Sequence, residues 1–370
     1  MYRSADFERP ADRADKYLAA ARRLVPADLI SDEGYKRIIQ SAAGLPSRTA
    51  LFYGLLEFPL DDSSALGDLS FALHHDSGCC DLLLSEWAQR GDRHSAWEHA
   101  VKLISGMRSP GGVLLRYLRS SGIEFDCSRD PDVCPSVFLT PAIQRSSKDV
   151  RANEIGMAET TARMLGEKAY PRSLLNKTLN AITALPEGCR IAQFGIMLSR
   201  DPAAIRLCCE GLDRITADQL SGFLQKTGYG GISDTAIAYR DKLSALGGAM
   251  DLAIDADTSS GERLGWELSF KNHAPSEEPG WRRALEIISS CAGCSTTKMD
   301  AFLNASGYLA ISDHLEVWPG DVRRCWEKHA LECFSYLVVN PNHIKLVIGP
   351  GGLVKAKGYL RISHYWKDLL

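Results

Sequence analysis

The stretch His343-Ile344-Lys345-Leu346-Val347-Ile348-Gly349-Pro350-Gly351-Gly352, continued by Leu353 to His364, sets the reading of the whole chain. Proline followed by two glycines between two alternating runs signals a turn. After it Lys355, Lys357, Tyr359, Arg361 and Ser363 recur at period two, while Val354, Ala356, Leu360 and Ile362 take the opposite face. Before it, His343 and Lys345 alternate with Ile344, Leu346 and Ile348 in the same way. A helix would scatter these cations around its circumference; a strand sets them in one row. A sheet with one face in water also carries Lys and Arg, so the hairpin alone does not make a site. What separates the two readings is that similar hairpins recur up the chain, flanked by helices.

At 370 residues the chain can bury a large core, and its 45% hydrophobic and 24% charged residues are those of a globular protein. A net charge of −3 argues against a general nucleic-acid binder, which needs a basic excess. No apolar run approaches the roughly 20 residues that span a bilayer, and Met1 to Pro26 is polar rather than signal-like. The expectation is a cytoplasmic protein with no nucleic-acid or membrane partner. The 11 cysteines are scattered, and only Cys291-Ala-Gly-Cys294 has the spacing of a ligand pair. A structural zinc needs four ligands, so no metal site is expected and most thiols read as small buried residues.

Amphipathic helices are expected over Ala11 to Leu24 and Asp32 to Ala43, after which the period changes to two. Extended pairs then begin near residues 49, 123, 190, 250 and 343, each separated from the next by two or three helical patterns. Among those patterns are Gly112–Arg119 and Asp321–Cys333, and Arg151, Arg172 and Lys177 read as outer-surface helix residues. Five hairpins imply antiparallel neighbours and disfavour a doubly wound parallel sheet. One face of each pair is apolar, as in Leu264, Trp266, Leu268 and Phe270, and suits a helix layer. The other carries charge: Arg206 and Glu210, Arg263 and Glu267, then Lys345, Lys355, Lys357 and Arg361. Ten such strands can close on themselves, remove their edges and turn the charged faces into a lumen. The fold class expected is α+β: one domain over 1–370, with N-terminal helices in 1–45 and a ten-stranded antiparallel barrel inside a shell of helices.

This order of elements, over roughly residues 40 to 364, resembles the ABBA or PT-barrel of the soluble aromatic prenyltransferases. Lys357-Gly-Tyr359 is similar to the Lys-x-Tyr pairs that hold the prenyl diphosphate in the fungal indole branch, although the other hairpins lack the pair. The resemblance implies a transferase that moves a prenyl group from an allylic diphosphate to an aromatic small molecule or a peptide side chain, in natural-product biosynthesis. No cofactor is then required, and Mg2+ is admitted as a companion of the diphosphate. No aspartate-rich DDxxD pattern of a trans-prenyl synthase or class I cyclase is present.

A departing diphosphate is highly negative, and fixed cations in a site that excludes bulk water help it leave. Lys345, Lys355, Lys357 and Arg361 are the candidate diphosphate ligands, with Tyr359 as a hydroxyl donor and Arg206 and Arg263 as additions from neighbouring hairpins. The acceptor must lose a proton, and Glu267 and Glu124 fall on the polar face as candidate bases. The competing reading for each is a lumenal carboxylate paired with a lysine. The competing function is a barrel that binds a charged small molecule or peptide without prenyl transfer.

Overall fold

The structure is a computed structural model that describes residues 13–47, 53–73, 78–89, 95–108, 110–130, 134–142, 147–200, 204–256, 263–329 and 333–368. The chain opens with α1 (Ala14–Ala21) and α2 (Asp32–Ala42), then β1 (Gly54–Pro59) and β2 (Asp68–Leu73). Next come α3 (Cys79–Gln89), α4 (Ser95–Gly106), β3 (Leu118–Phe125), β4 (Ser136–Pro141), α5 (Ser147–Leu165) and α6 (Arg172–Ala184). The middle holds β5 (Arg190–Met197), β6 (Ala204–Glu210), α7 (Ala217–Lys226), α8 (Ser233–Ser244), β7 (Ala249–Asp255) and β8 (Leu264–Ser269). It ends with α9 (Gly280–Ala292), α10 (Thr296–Leu303), β9 (Gly307–Ala310), α11 (Gly320–His329), β10 (Cys333–Ile348) and β11 (Val354–Asp368).

Neighbouring strands pair antiparallel from β1 through β8, then β8 pairs with β10, β10 with β11, and β11 with β1. That circuit is a closed ten-stranded barrel, and the helices surround it. Alternation assigns the faces. Leu56, Phe58, Leu69, Phe71, Leu252, Ile254, Trp266 and Leu268 are buried toward the helices, together with Ile344, Leu346, Leu360 and Ile362. The indole of Trp266 donates to the Ala236 carbonyl of α8 at 3.0 Å, tying strand to helix. Local signals agree with the elements: Ser31 caps α2 through the Gly34 amide, and Thr216 and Gln219 form a reciprocal cap on α7. Gly351 and Gly352 take φ of 68° and 78°, a left-handed geometry that makes Pro350-Gly351-Gly352 a turn.

Strand starts differ from the alternation in two places, and a third falls on undescribed residues. Residues 49–52 lie outside the described residues, and β1 is described from Gly54. The second pair begins at Leu118 rather than near 123, because only Leu115–Tyr117 forms a helical turn in what reads as Gly112–Arg119. The last pair begins at Cys333 rather than His343. Asn340-Pro341-Asn342 hides the continuation, since the register slips between Pro341 and His343 and breaks the period of two. β9 is an additional strand. Among the described residues it pairs only with the first half of β10, through Gly307–Val339 and Ala310–Tyr336, and forms the edge of a flap beyond the barrel. No helix among the described residues is long and apolar enough to cross a membrane.

Candidate active site

The lumen is built by register. Glu267 on β8 is the direct cross-strand partner of Lys345 on β10, and Lys345 is the partner of Lys357 on β11. On the other side of β11, Tyr359 stands opposite Glu57 of β1, and Arg361 opposite Leu55. The side chains follow. Lys345 Nζ donates to Glu267 Oε1 at 2.7 Å. Glu57 accepts from both the Lys357 ammonium and the Tyr359 hydroxyl. Arg361 lies 5.0 Å from the Tyr53 ring centre and 5.7 Å from that of Tyr365, with its Nε donating to Ser363 Oγ. Gly265 makes room: a Cβ there would sit 2.4 Å from Cε of Lys345, so the lysine lies over the bare backbone of the neighbouring strand β8.

His343 stacks on Tyr359 with ring centres 3.7 Å apart and 20° between planes. Across the barrel Arg206 Nε donates to Asp255 Oδ1 at 3.1 Å, and Arg200 Nη1 approaches the same carboxylate at 3.4 Å. At that end Ser199 Oγ donates to Asp126 Oδ2 at 2.5 Å, and the Ser128 amide to Asp68 Oδ1 at 2.8 Å. Toward the opposite mouth a cavity of about 400 Å3 is lined by Tyr53, Glu210, Asp251, Glu267, His273 and His343 with their neighbours.

Enclosure among so many charges splits the carboxyls into two groups. Burial works against ionised Glu57, but Lys357 and Lys345 outweigh it and hold the carboxyl down at about 2. Glu267 is likewise held low, burial being overcome by the charge and hydrogen bond of Lys345. Glu124 goes the other way: burial, then the negative charges of Glu57 and Asp126, push it up to about 8. Burial and Glu267 push Asp251 up to about 7, and burial and Glu57 push Asp68 up to about 6. Burial lowers His343 to about 4, so the stacked imidazole is neutral at ordinary pH.

Lys345, Lys357, Tyr359, Arg361, Arg206, Glu267 and Glu124 are thus brought to one lumen. Lys355 and Arg263 are not: both share its phase but lie exposed at strand ends, where the barrel wall has run out. Arg151 departs from the outer-surface reading, because it bonds Glu154 at 2.6 Å and the Cys189 carbonyl at 3.2 Å, while Arg172 and Lys177 are exposed. Sequence reasoning gave no role to Glu57, His343, Asp251 or Glu154. The strand phase of Glu57 was visible, but its two partners lie about as far away along the chain as the fold allows. Among the described residues no group of three or more His, Cys, Asp and Glu could hold a metal ion.

A barrel of ten antiparallel strands with a charged lumen and helices outside is the PT-barrel fold. A solved structure similar to this chain is 5-dimethylallyltryptophan synthase from Streptomyces coelicolor, at 13% identity over 95% of this chain and 97% of that one, with a TM-score of 0.50. No protein-family model and no curated protein matches the sequence. The likeness is one of fold.

Proposed function

We propose that the protein transfers a prenyl group from an allylic diphosphate to an electron-rich aromatic ring, carried by a small molecule or a peptide side chain. The observation that carries this reading is the row Lys345, Lys357, Tyr359 and Arg361, gathered on adjacent strands inside a PT barrel whose neighbour is named for dimethylallyl transfer to tryptophan. The allylic C–O bond breaks, and its electron pair leaves with the diphosphate. The row and Arg206 neutralise that leaving group in an enclosed site. A ring carbon attacks the allylic cation, while Tyr359, His343 and Tyr53 screen the cation from water.

The ring then returns its proton to a carboxylate. Glu267 suits this step, since it is ionised, lines the cavity and sits beside the leaving-group lysine. Glu124 holds its proton near neutrality, so it acts as a base only after losing it. Glu57 is released when the diphosphate takes Lys357 and Tyr359, and becomes a second acceptor. Lys355 and Arg263 serve at the rim, drawing the anion in. The balanced reaction requires no cofactor, and Mg2+ would enter as the counter-ion of the diphosphate.

A second reading, a barrel that binds a charged small molecule or peptide without prenyl transfer, is favoured by one observation. Lys345, Lys357 and Arg206 are each already paired with a carboxylate. Incubation with dimethylallyl diphosphate and indole or tryptophan acceptors separates the two. Prenyl transfer adds one prenyl unit to the acceptor by mass and releases free diphosphate. Neither product, with dimethylallyl or longer allylic donors, would leave the binding reading.

A further inference from the structure

The first half of β10, the last half of β11 and β9 form a three-stranded flap that continues the lumen wall past the barrel mouth. One face is closed: His364 accepts or donates to Ser335 at 2.6 Å and packs on Tyr17 and Trp318. The other face continues the lumen phase and is open. It carries Val338 opposite Tyr308, and Tyr336 between Ala310 and Tyr365. The Tyr336 and Tyr365 rings stack with centres 5.7 Å apart, and Tyr308 is 72% exposed. Tyr308, Ala310, Tyr336 and Val338, with Ala274, Trp326 and Asn340, line a groove of about 970 Å3.

Three features say what fits it. The groove lies beside the lumen cavity: His273 and Asn342 line the cavity, Ala274 and Asn340 line the groove, and Arg361 lies against both Tyr53 at the lumen and Tyr365 on the flap. Its size is additional to the lumen, whose 400 Å3 is of the order that holds one aromatic side chain and a short prenyl tail. Its border is β9, the edge of the sheet among the described residues, and repeated edge N–H and C=O groups are satisfied by another extended backbone. A free aromatic amino acid uses none of these.

Resting on the prenyl-transfer reading above, we infer that the flap groove is an acceptor subsite for an extended polypeptide, whose main chain adds to β9 while one aromatic side chain enters the lumen. The tyrosines take the flanking side chains, and β9 sets the direction of the strand.

The test compares two probes by fluorescence anisotropy and titration calorimetry: N-acetyl-tryptophanamide, and a capped nine-residue threonine- and valine-rich peptide with a central tryptophan. The peptide should bind at least about tenfold tighter, because only it reaches both the edge and the groove. Tyr308→Ser, at an exposed position, should abolish that advantage and leave the affinity for N-acetyl-tryptophanamide as it was. Equal affinities of the two probes, or a peptide advantage that survives Tyr308→Ser, would overturn the inference. Concentration-dependent dimerisation lost in Tyr308→Ser, without peptide preference, would overturn it in favour of a second copy pairing through β9. A parallel titration with an allylic thiolodiphosphate keeps the failures apart: no diphosphate binding sinks prenyl transfer, whereas peptide preference is read independently of it.

Discussion

Lys345 Nζ lies 2.7 Å from Glu267 Oε1, and the two are direct cross-strand partners on β10 and β8. The same lysine faces Lys357 on its other side, and Lys357 is held by Glu57. Two like charges therefore stand side by side, and each is neutralised outward by a carboxylate. On the proposed function, a diphosphate entering between them replaces both carboxylates at once.

Breaking one member of the Lys345–Glu267 pair should cost more than removing both. Lys345→Met leaves an enclosed carboxylate without its counter-charge and should lower stability by about 1–3 kcal/mol. Adding Glu267→Gln should restore much of that loss. Urea denaturation of the two single variants and the double variant measures the coupling; strictly additive effects would contradict the pairing.

The raised carboxyls fix a pH dependence. Glu124, ordinarily at 4.5, is pushed up to about 8, so the folded protein keeps a proton that the unfolded chain gives up. Its contribution is full below 4.5 and is lost as pH rises through about 8. Asp251, pushed up to about 7, acts in the same direction. Glu57 has the opposite sign: held at about 2, it stabilises above its ordinary 4.5 and loses that only as pH falls through about 2. Thermal melting should therefore decline across the neutral window, and Glu124→Gln should flatten the decline. An unchanged slope in that variant would count against the assignment.

Lys298 on α10 anchors the β1–β2 loop from outside the barrel. Its ammonium donates to the carbonyls of Pro59 at 3.0 Å, Asp61 at 2.6 Å and Ser64 at 2.5 Å. Lys298→Met keeps the aliphatic length but strands three acceptors, and should cost about 1–3 kcal/mol in chemical denaturation. A neutral result would mean that water replaces the ammonium freely.

Glu267→Gln should slow turnover while binding of an allylic diphosphate stays near normal, because the amide keeps the shape and cannot take up the ring proton. Single-turnover kinetics with the donor saturating separates the two. A variant with wild-type chemistry would move the base to Glu57.

The row of cations was legible because period two is insensitive to where a strand ends. Ile344 and Leu360 are both buried toward the helices, as the alternation of Lys345 and Arg361 requires. What alternation cannot carry is partnership. Lys357 and Glu57 meet only because β11 closes the barrel onto β1, a contact no local pattern encodes. The same limit explains Lys355 and Arg263, which have the right phase but lie at strand ends. β9 escaped notice because four residues, Gly307 to Ala310, are too few to establish a period. The early start of β10 was hidden by the bulge between Pro341 and His343, where one extra residue, Asn342, resets the alternation.

The proposed function requires that the lumenal row bind a diphosphate. Isothermal titration with dimethylallyl S-thiolodiphosphate, a donor that ionises slowly, tests it most directly. Wild type should bind, and Lys357→Ala and Arg361→Ala should each weaken binding about tenfold to a hundredfold while the protein still unfolds cooperatively. Equal affinity in wild type and both variants, or no measurable binding in any of them, would contradict the account.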